Sequence, residues 1–150
     1  MPIGRNRRAA LTDRTATVES AGRMAGPLQG THMSESQETP PVERADLEQA
    51  SLGDTEFERE LLSEFLSSSS DMLASLDHAV ASSDATQVMQ AAHSLKGCSW
   101  TVGARALGAE CDELEQEARG GSVEQADRRL ARIRGLLGQV DAYIRVHWAL

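Results

Sequence analysis

The segment VMQAAHSLKGCSWTV, residues 88–102, decides how the rest of the chain is read. Projected at about 100° per residue, Val88, Ala91, Ala92, Leu95, Cys98, Ser99 and Val102 fall within about 120°, the width of the buried face of an amphipathic helix. His93, Lys96, Gly97 and Trp100 lie on the opposite side, with Met89 beside them. A helix is predicted here whose histidine points outward, so His93 is not a packed core residue.

The same periodicity recurs on both sides of this segment. Phe57, Leu61, Phe65, Met72, Leu76 and Val80 repeat at helical spacing. Ser67 to Ser70 weaken that stretch, because their hydroxyls compete with the backbone, but one long helix is predicted. Thr55 and Glu58 have the spacing of a capping box at its start; before it, Leu47 and Leu52 mark a short helix from Arg44 that Gly53 stops. Asp84 with Gln87 is the N-cap pair of the His93 helix, which is predicted to reach about Thr101 and turn at Gly103. A further helix runs from about Ala104 to Arg119, where Gly120-Gly121 ends it as an αL C-cap does. Ser122 with Gln125 opens the last helix, carrying Ala126, Leu130, Ile133, Leu137, Val140 and Ile144. The predicted fold is all-α, an antiparallel four-helix bundle with a short extra N-terminal helix, over residues 44–150.

Residues 1–43 mix Arg, Gly, Thr, Ser and Pro without a sustained apolar period and are predicted to be a disordered leader. Within it, residues 1–32 are read as non-native or as lying upstream of the true start at Met33.

Composition agrees with a single helical domain plus a tail. Apolar residues make up 40% of the 150, enough for one modest core, and aromatics only 3%, which favours helix over sheet. Charge divides unevenly: residues 1–32 hold five Arg against Asp13 and Glu19, whereas residues 33–150 hold ten basic and twenty-one acidic side chains. An acidic domain repels phosphate backbones, which argues against nucleic-acid binding and against a basic membrane-surface role. No apolar stretch approaches the roughly 20 residues of a membrane span and no secretory h-region is visible, so a cytoplasmic location is expected.

Several chemistries find no support. Neither GxxxxGK[ST] nor GxGxxG occurs, so autophosphorylation from ATP is not expected and the protein is read as a carrier, not an enzyme. His32, His78 and His147 have no paired ligand spacing, so no metal and no cofactor of its own is expected. Cys98 and Cys111 fall on predicted apolar faces and are read as buried, reduced packing residues; a cysteine nucleophile would need an accessible, perturbed thiol.

The outward face of the 88–102 helix carries the chemistry. Lys96 lies one turn from His93 and is the only lysine in the chain, all fourteen other basic residues being Arg. Gly97 costs a helix interior about 1 kcal/mol relative to Ala, which implies close approach by another molecule or a kink. Met89 and Trp100 flank the histidine and suggest a docking patch, although packing against a neighbouring helix would also account for them.

Ala92-His93-Ser94-Leu95-Lys96-Gly97, followed by Gly103-Ala104 and Leu114-Glu115, resembles the histidine phosphotransfer (HPt) family, whose signature is His-x-Leu-Lys-Gly in a four-helix bundle. The resemblance spans about residues 44 to 148. It implies that His93 takes a phosphoryl group on Nε2 from a receiver aspartate and returns it to another, in a two-component phosphorelay, while Lys96 helps to hold the phosphate. Glu115 and Arg119 correspond by spacing to residues that neighbour the active histidine in the family. Glu115 would accept the Nδ1 proton and leave Nε2 as nucleophile, with Arg119 as charge support. The same spacing fits an ordinary surface i,i+4 pair, and sequence does not separate the two.

The implied partners are response-regulator receiver domains, of a hybrid histidine kinase and of a downstream regulator, with any Mg²⁺ on the receiver. The resemblance implies a monomer, as for stand-alone carriers, with all the bundle helices present here; members whose bundle is completed by two chains leave a dimer open. Two alternatives are kept: an HPt-like adaptor that binds a receiver or kinase through the same face without being phosphorylated, and a helical interaction module anchored by Met89 and Trp100.

Overall fold

The computed structural model describes residues 39–150. The leader reading of residues 1–43 therefore lies outside the described residues for all but its last five positions. Five helices and no strand occur among the described residues: α1 (Arg44–Ser51), α2 (Thr55–Ala81), α3 (Ala85–Thr101), α4 (Arg105–Arg119) and α5 (Ala126–Trp148). The helix α3 packs most extensively on α4 and also on α2, α5 packs on both α4 and α2, and α1 covers part of α2 and α3. No described helix is long and apolar enough to cross a membrane.

One core fills the space between these helices. Leu62 and Leu76 of α2, Val88 and Leu95 of α3, Leu107 and Leu114 of α4, and Ile133 and Ile144 of α5 are all buried. Each such side chain contributes roughly 1.5–3 kcal/mol on leaving water. The buried positions of α3, Val88, Ala92, Leu95 and Ser99, belong to the face read from its periodicity. Ser99 removes its hydroxyl from competition by donating to the carbonyl of Leu95 at 2.7 Å.

The start of α2 differs from the expected capping box. Asp54, not Thr55, is the N-cap, its carboxylate accepting from the backbone N–H of Glu56 and Phe57 at 2.9 and 3.1 Å. Glu58 does not reach back to the cap. It is buried and accepts from Trp148 Nε1 at 2.8 Å, tying α2 to the end of α5. Phe57 is 41% exposed, but Phe65, Leu76 and Val80 are buried as expected and Leu61 and Met72 pack partly against the core, with Leu62, Ser69 and Ala79 completing the inward face of α2. Through Ser67 to Ser70 the helix continues without a break; Ser68 donates back to the Glu64 carbonyl and Ser69 is buried.

Asp84 caps α3 as expected, accepting from Gln87 N–H at 3.2 Å. Gly121 has φ +90, the left-handed turn expected after α4. The expected Ser122 cap is displaced: α5 begins at Ala126, with Gln125 at the N-cap position and no side-chain capping bond, while Ser122 accepts only a long 3.4 Å contact from Glu124 N–H.

The packed chain starts before the expected boundary at Arg44. Val42 is wholly buried, and Glu43 N–H donates to the Gly103 carbonyl at 2.8 Å. Gly103 has φ +81, and a Cβ there would stand 2.5 Å from the Glu43 carbonyl oxygen, so both the turn and the close approach require glycine. Arg105 adds a bidentate pair to Asp46, at 2.6 and 2.8 Å, across the same junction.

Candidate functional site

The site lies where the middle of α3 meets α4. His93 projects from α3 with its side chain 67% exposed, and its Nδ1 lies 3.1 Å from Oε2 of Glu115 on α4. The glutamate itself is 1% exposed, so the two residues differ sharply in solvation although they touch. Arg119, one turn further along α4, donates to the same Oε2 at 2.5 Å. Lys96 places Nζ 2.8 Å from Glu115 Oε1 and 3.2 Å from Asp112 Oδ1.

A buried carboxylate is costly unless cations and donors surround it. Burial alone pushes the Glu115 carboxyl up, but the contacts and charges of Lys96 and His93 outweigh it and hold the group below the ordinary glutamate range. An ionised carboxylate only accepts, so Nδ1 of a neutral His93 carries the proton and Nε2 keeps its lone pair, facing outward with the ring. Close contact with Glu115 first, and with Asp112, raises Lys96 above its ordinary value, so it is an ammonium at any physiological pH. Lys96 approaches Oε1 off the hydrogen-bonding direction, and Oε1 is left buried with no well-directed donor.

His93, Lys96, Glu115 and Arg119 are thus brought together, and the surface-pair reading of Glu115 and Arg119 needs correction in one respect. The i,i+4 contact exists, but its glutamate is buried beneath the histidine. Gly97 is exposed in an uninterrupted helix, and a Cβ there would meet nothing within 4 Å, so the fold itself does not demand glycine. Met89 is half-buried and lines, with Gln90, His93, Ser94, Glu115 and Arg119, a shallow hollow of about 410 Å³. Trp100 combines both readings: it is 43% exposed, yet its ring lies so close over Gly108 of α4 that a Cβ there would come within 2.9 Å.

Two features escaped sequence reasoning. Asp112, the second partner of Lys96, stands three residues before Glu115 on α4; its only signal was an acid one turn from the glutamate already singled out. A groove between α2 and α3, lined in part by Ser75, His78 and Gln87, shares Gln90 and Ser94 with the hollow at His93. The groove joins residues far apart in sequence, so no local pattern announces it.

The remaining candidates stay apart. Cys111 is buried and its thiol is pushed up to about 12, chiefly by burial. Cys98, expected to be buried, is half-buried at the edge of a small hollow between α2 and α3, and burial raises its thiol as well. Among the described residues no group of three His, Cys, Asp or Glu is placed to hold a metal. His147 stacks on Tyr143 on α5.

The domain is all-helical and presents His93 to solvent over a buried carboxylate, and the comparisons with known proteins bear on this arrangement. The model of the family described as Hpt domain matches residues 60–143, more than half of the chain. The crystal structure of histidine-containing phosphotransfer protein B (HptB) from Pseudomonas aeruginosa PAO1 is similar at 28% identity and TM-score 0.67, covering 72% of this chain and 94% of that one. No curated protein matches the chain. The chain belongs to the Hpt domain family. Its role is histidine phosphotransfer in two-component signalling, and Hpt proteins are phosphocarriers that interact with receiver domains and histidine kinases.

Proposed function

We propose that the protein relays a phosphoryl group between receiver-domain aspartates through phosphohistidine at Nε2 of His93. The observation that carries this reading is the 3.1 Å contact between His93 Nδ1 and the buried Glu115 carboxylate, beneath a ring that is 67% exposed. In the loading step the Nε2 lone pair forms a P–N bond while the P–O bond of the receiver's acyl phosphate breaks and its carboxylate leaves. The ring becomes cationic and Nδ1 keeps its proton, which Glu115 holds. Return to a second receiver reverses these changes.

Lys96 and Arg119 supply positive charge beside the phosphoryl oxygens, which suits a reaction that depends mostly on positioning and charge stabilisation. Gly97 leaves the outward face of α3 low, so a partner can approach closely. Met89 and Trp100 are the apolar contacts at the rim of that approach. Any Mg²⁺ sits on the receiver, and the chain needs no cofactor of its own. The four long helices are read as an antiparallel bundle with α1 as an extra N-terminal helix, acting as a cytoplasmic monomer between a hybrid histidine kinase and a downstream regulator.

The test is label transfer from a panel of phosphorylated receiver domains to the purified chain. Acid-labile, alkali-stable label that is absent in His93→Gln, with the variant's helical circular dichroism intact, is the expected result. Receiver binding that is unchanged in His93→Gln, without transfer from any receiver, would replace the carrier with an adaptor.

A further inference from the structure

The ammonium of Lys96 is shared by two carboxylates in unlike surroundings. The Glu115 side chain is 2% exposed, whereas that of Asp112 is 43% exposed. The well-directed hydrogen bond of Lys96 goes to Asp112, at 3.2 Å, and not to the buried Glu115 Oε1, which has no aligned donor. Asp112 therefore offers the ammonium a second, solvent-facing carboxylate beside the buried one. Its same Oδ1 also receives a long 3.4 Å contact from Gln116 Nε2, so it has another donor in place.

A phosphoryl dianion on His93 would be a third claimant for this one ammonium. Glu115 cannot give up its cation cheaply, because a buried carboxylate that loses a partner keeps its desolvation cost. Asp112 can, because water and Gln116 take over. We propose that Asp112 is the releasable partner of Lys96: it holds the ammonium while His93 is unmodified and yields it to the phosphoryl group. Its carboxylate thereby sets how strongly the site retains phosphate. Asp112 acts through Lys96 and is a positioning residue, and the inference rests on the carrier reading of His93.

The test compares the wild-type full chain with Asp112→Asn, Asp112→Glu and Asp71→Asn. Each is equilibrated with a phosphorylated receiver and, separately, loaded with potassium phosphoramidate to follow hydrolysis of the phosphohistidine. Asp112→Asn is expected to shift the partition toward phosphohistidine about two- to fivefold, on the scale of one exposed ion pair, and to slow hydrolysis in step. Asp112→Glu should stay near wild type. Asp71→Asn, which removes the same charge from α2, should leave both readings unchanged.

Because Lys96 is the only lysine, its ammonium gives a single side-chain NMR signal, expected to exchange faster with water in Asp112→Asn. A partition that is unchanged or falls in Asp112→Asn, or an equal shift in Asp71→Asn, overturns the inference while leaving the carrier intact. A wild-type chain that accepts no phosphoryl group overturns the carrier reading and the inference together.

Discussion

Two glutamates on one helix, Glu110 and Glu115, face opposite neighbours and show what separates a clamp from a reactive site. Both are buried and both are paired with cations. Glu110 meets α5, where Arg129 Nη1 donates to it at 2.7 Å and Arg132 Nε lies 3.3 Å away. The same Arg129 grips Glu117 at 2.9 and 2.7 Å, so its guanidinium spans two turns of α4. Both partners of Glu110 are arginines, which never lose their charge, and the cluster has no group with chemistry to offer. Glu115 meets α3, where its partners are a histidine with a free ring nitrogen and an ammonium that a second carboxylate shares. The contrast lies in the partners, since the carboxylate is the same.

That contrast can be broken in three ways. The largest expected effect is on function: Glu115→Ala should slow phosphoryl loading of His93 about 10- to 100-fold, by analogy with removal of the partner that orients a metal-bound histidine. Glu110→Ala should leave it within about twofold, measured below the unfolding transition of both variants. Next comes stability. Arg129→Met strips a buried carboxylate of its main partner and should cost about 2–3 kcal/mol in urea unfolding, below the full cost of breaking a buried pair because Arg129 is 23% exposed. Arg119→Met, whose side chain is 57% exposed, should cost under about 1 kcal/mol.

The smallest effect is on pH dependence. The Glu115 carboxyl is held below its ordinary value of 4.5, so the unfolded chain binds its proton more readily than the folded one. The stability this contributes is fully present above the ordinary value and is lost as pH falls through the folded one. Glu117, held low chiefly by Arg129, adds a loss of the same sign. Urea midpoints measured downward from pH 5 should therefore fall less steeply in Glu115→Gln and in Glu117→Gln than in wild type; an unaltered slope in both would remove the electrostatic account of these two carboxylates.

Much of the fold was legible because it is written locally. The turn residues Asp84, Gly103 and Gly121 mark helix ends through side-chain bonds or left-handed backbone, and α3 has one apolar face with little ambiguity. The start of α2 was misread because adjacent Asp54 and Thr55 are both good caps, and only the structure decides which oxygen meets the free N–H groups. Phe57 fits the spacing of α2 but is left 41% exposed. Glu58 was read as a cap partner because its true partner, Trp148, lies 90 residues away. The same limit applies to the site. His93, Lys96 and Gly97 share one helix and one motif, and Glu115 with Arg119 followed from family spacing. The partnership of Asp112 with Lys96 depends on the register between α3 and α4, which no periodicity within either helix contains.

The fastening at Gly103 has a mechanical side. Glu43 is hydrogen-bonded to that turn, and Asp46 is locked to Arg105 just beyond it, so the first packed residues are riveted to the hinge between α3 and α4. Tension applied to the backbone ahead of Val42 would not simply peel α1 away. It would load the rivet first and pull on the joint between the helix bearing His93 and the helix bearing Glu115.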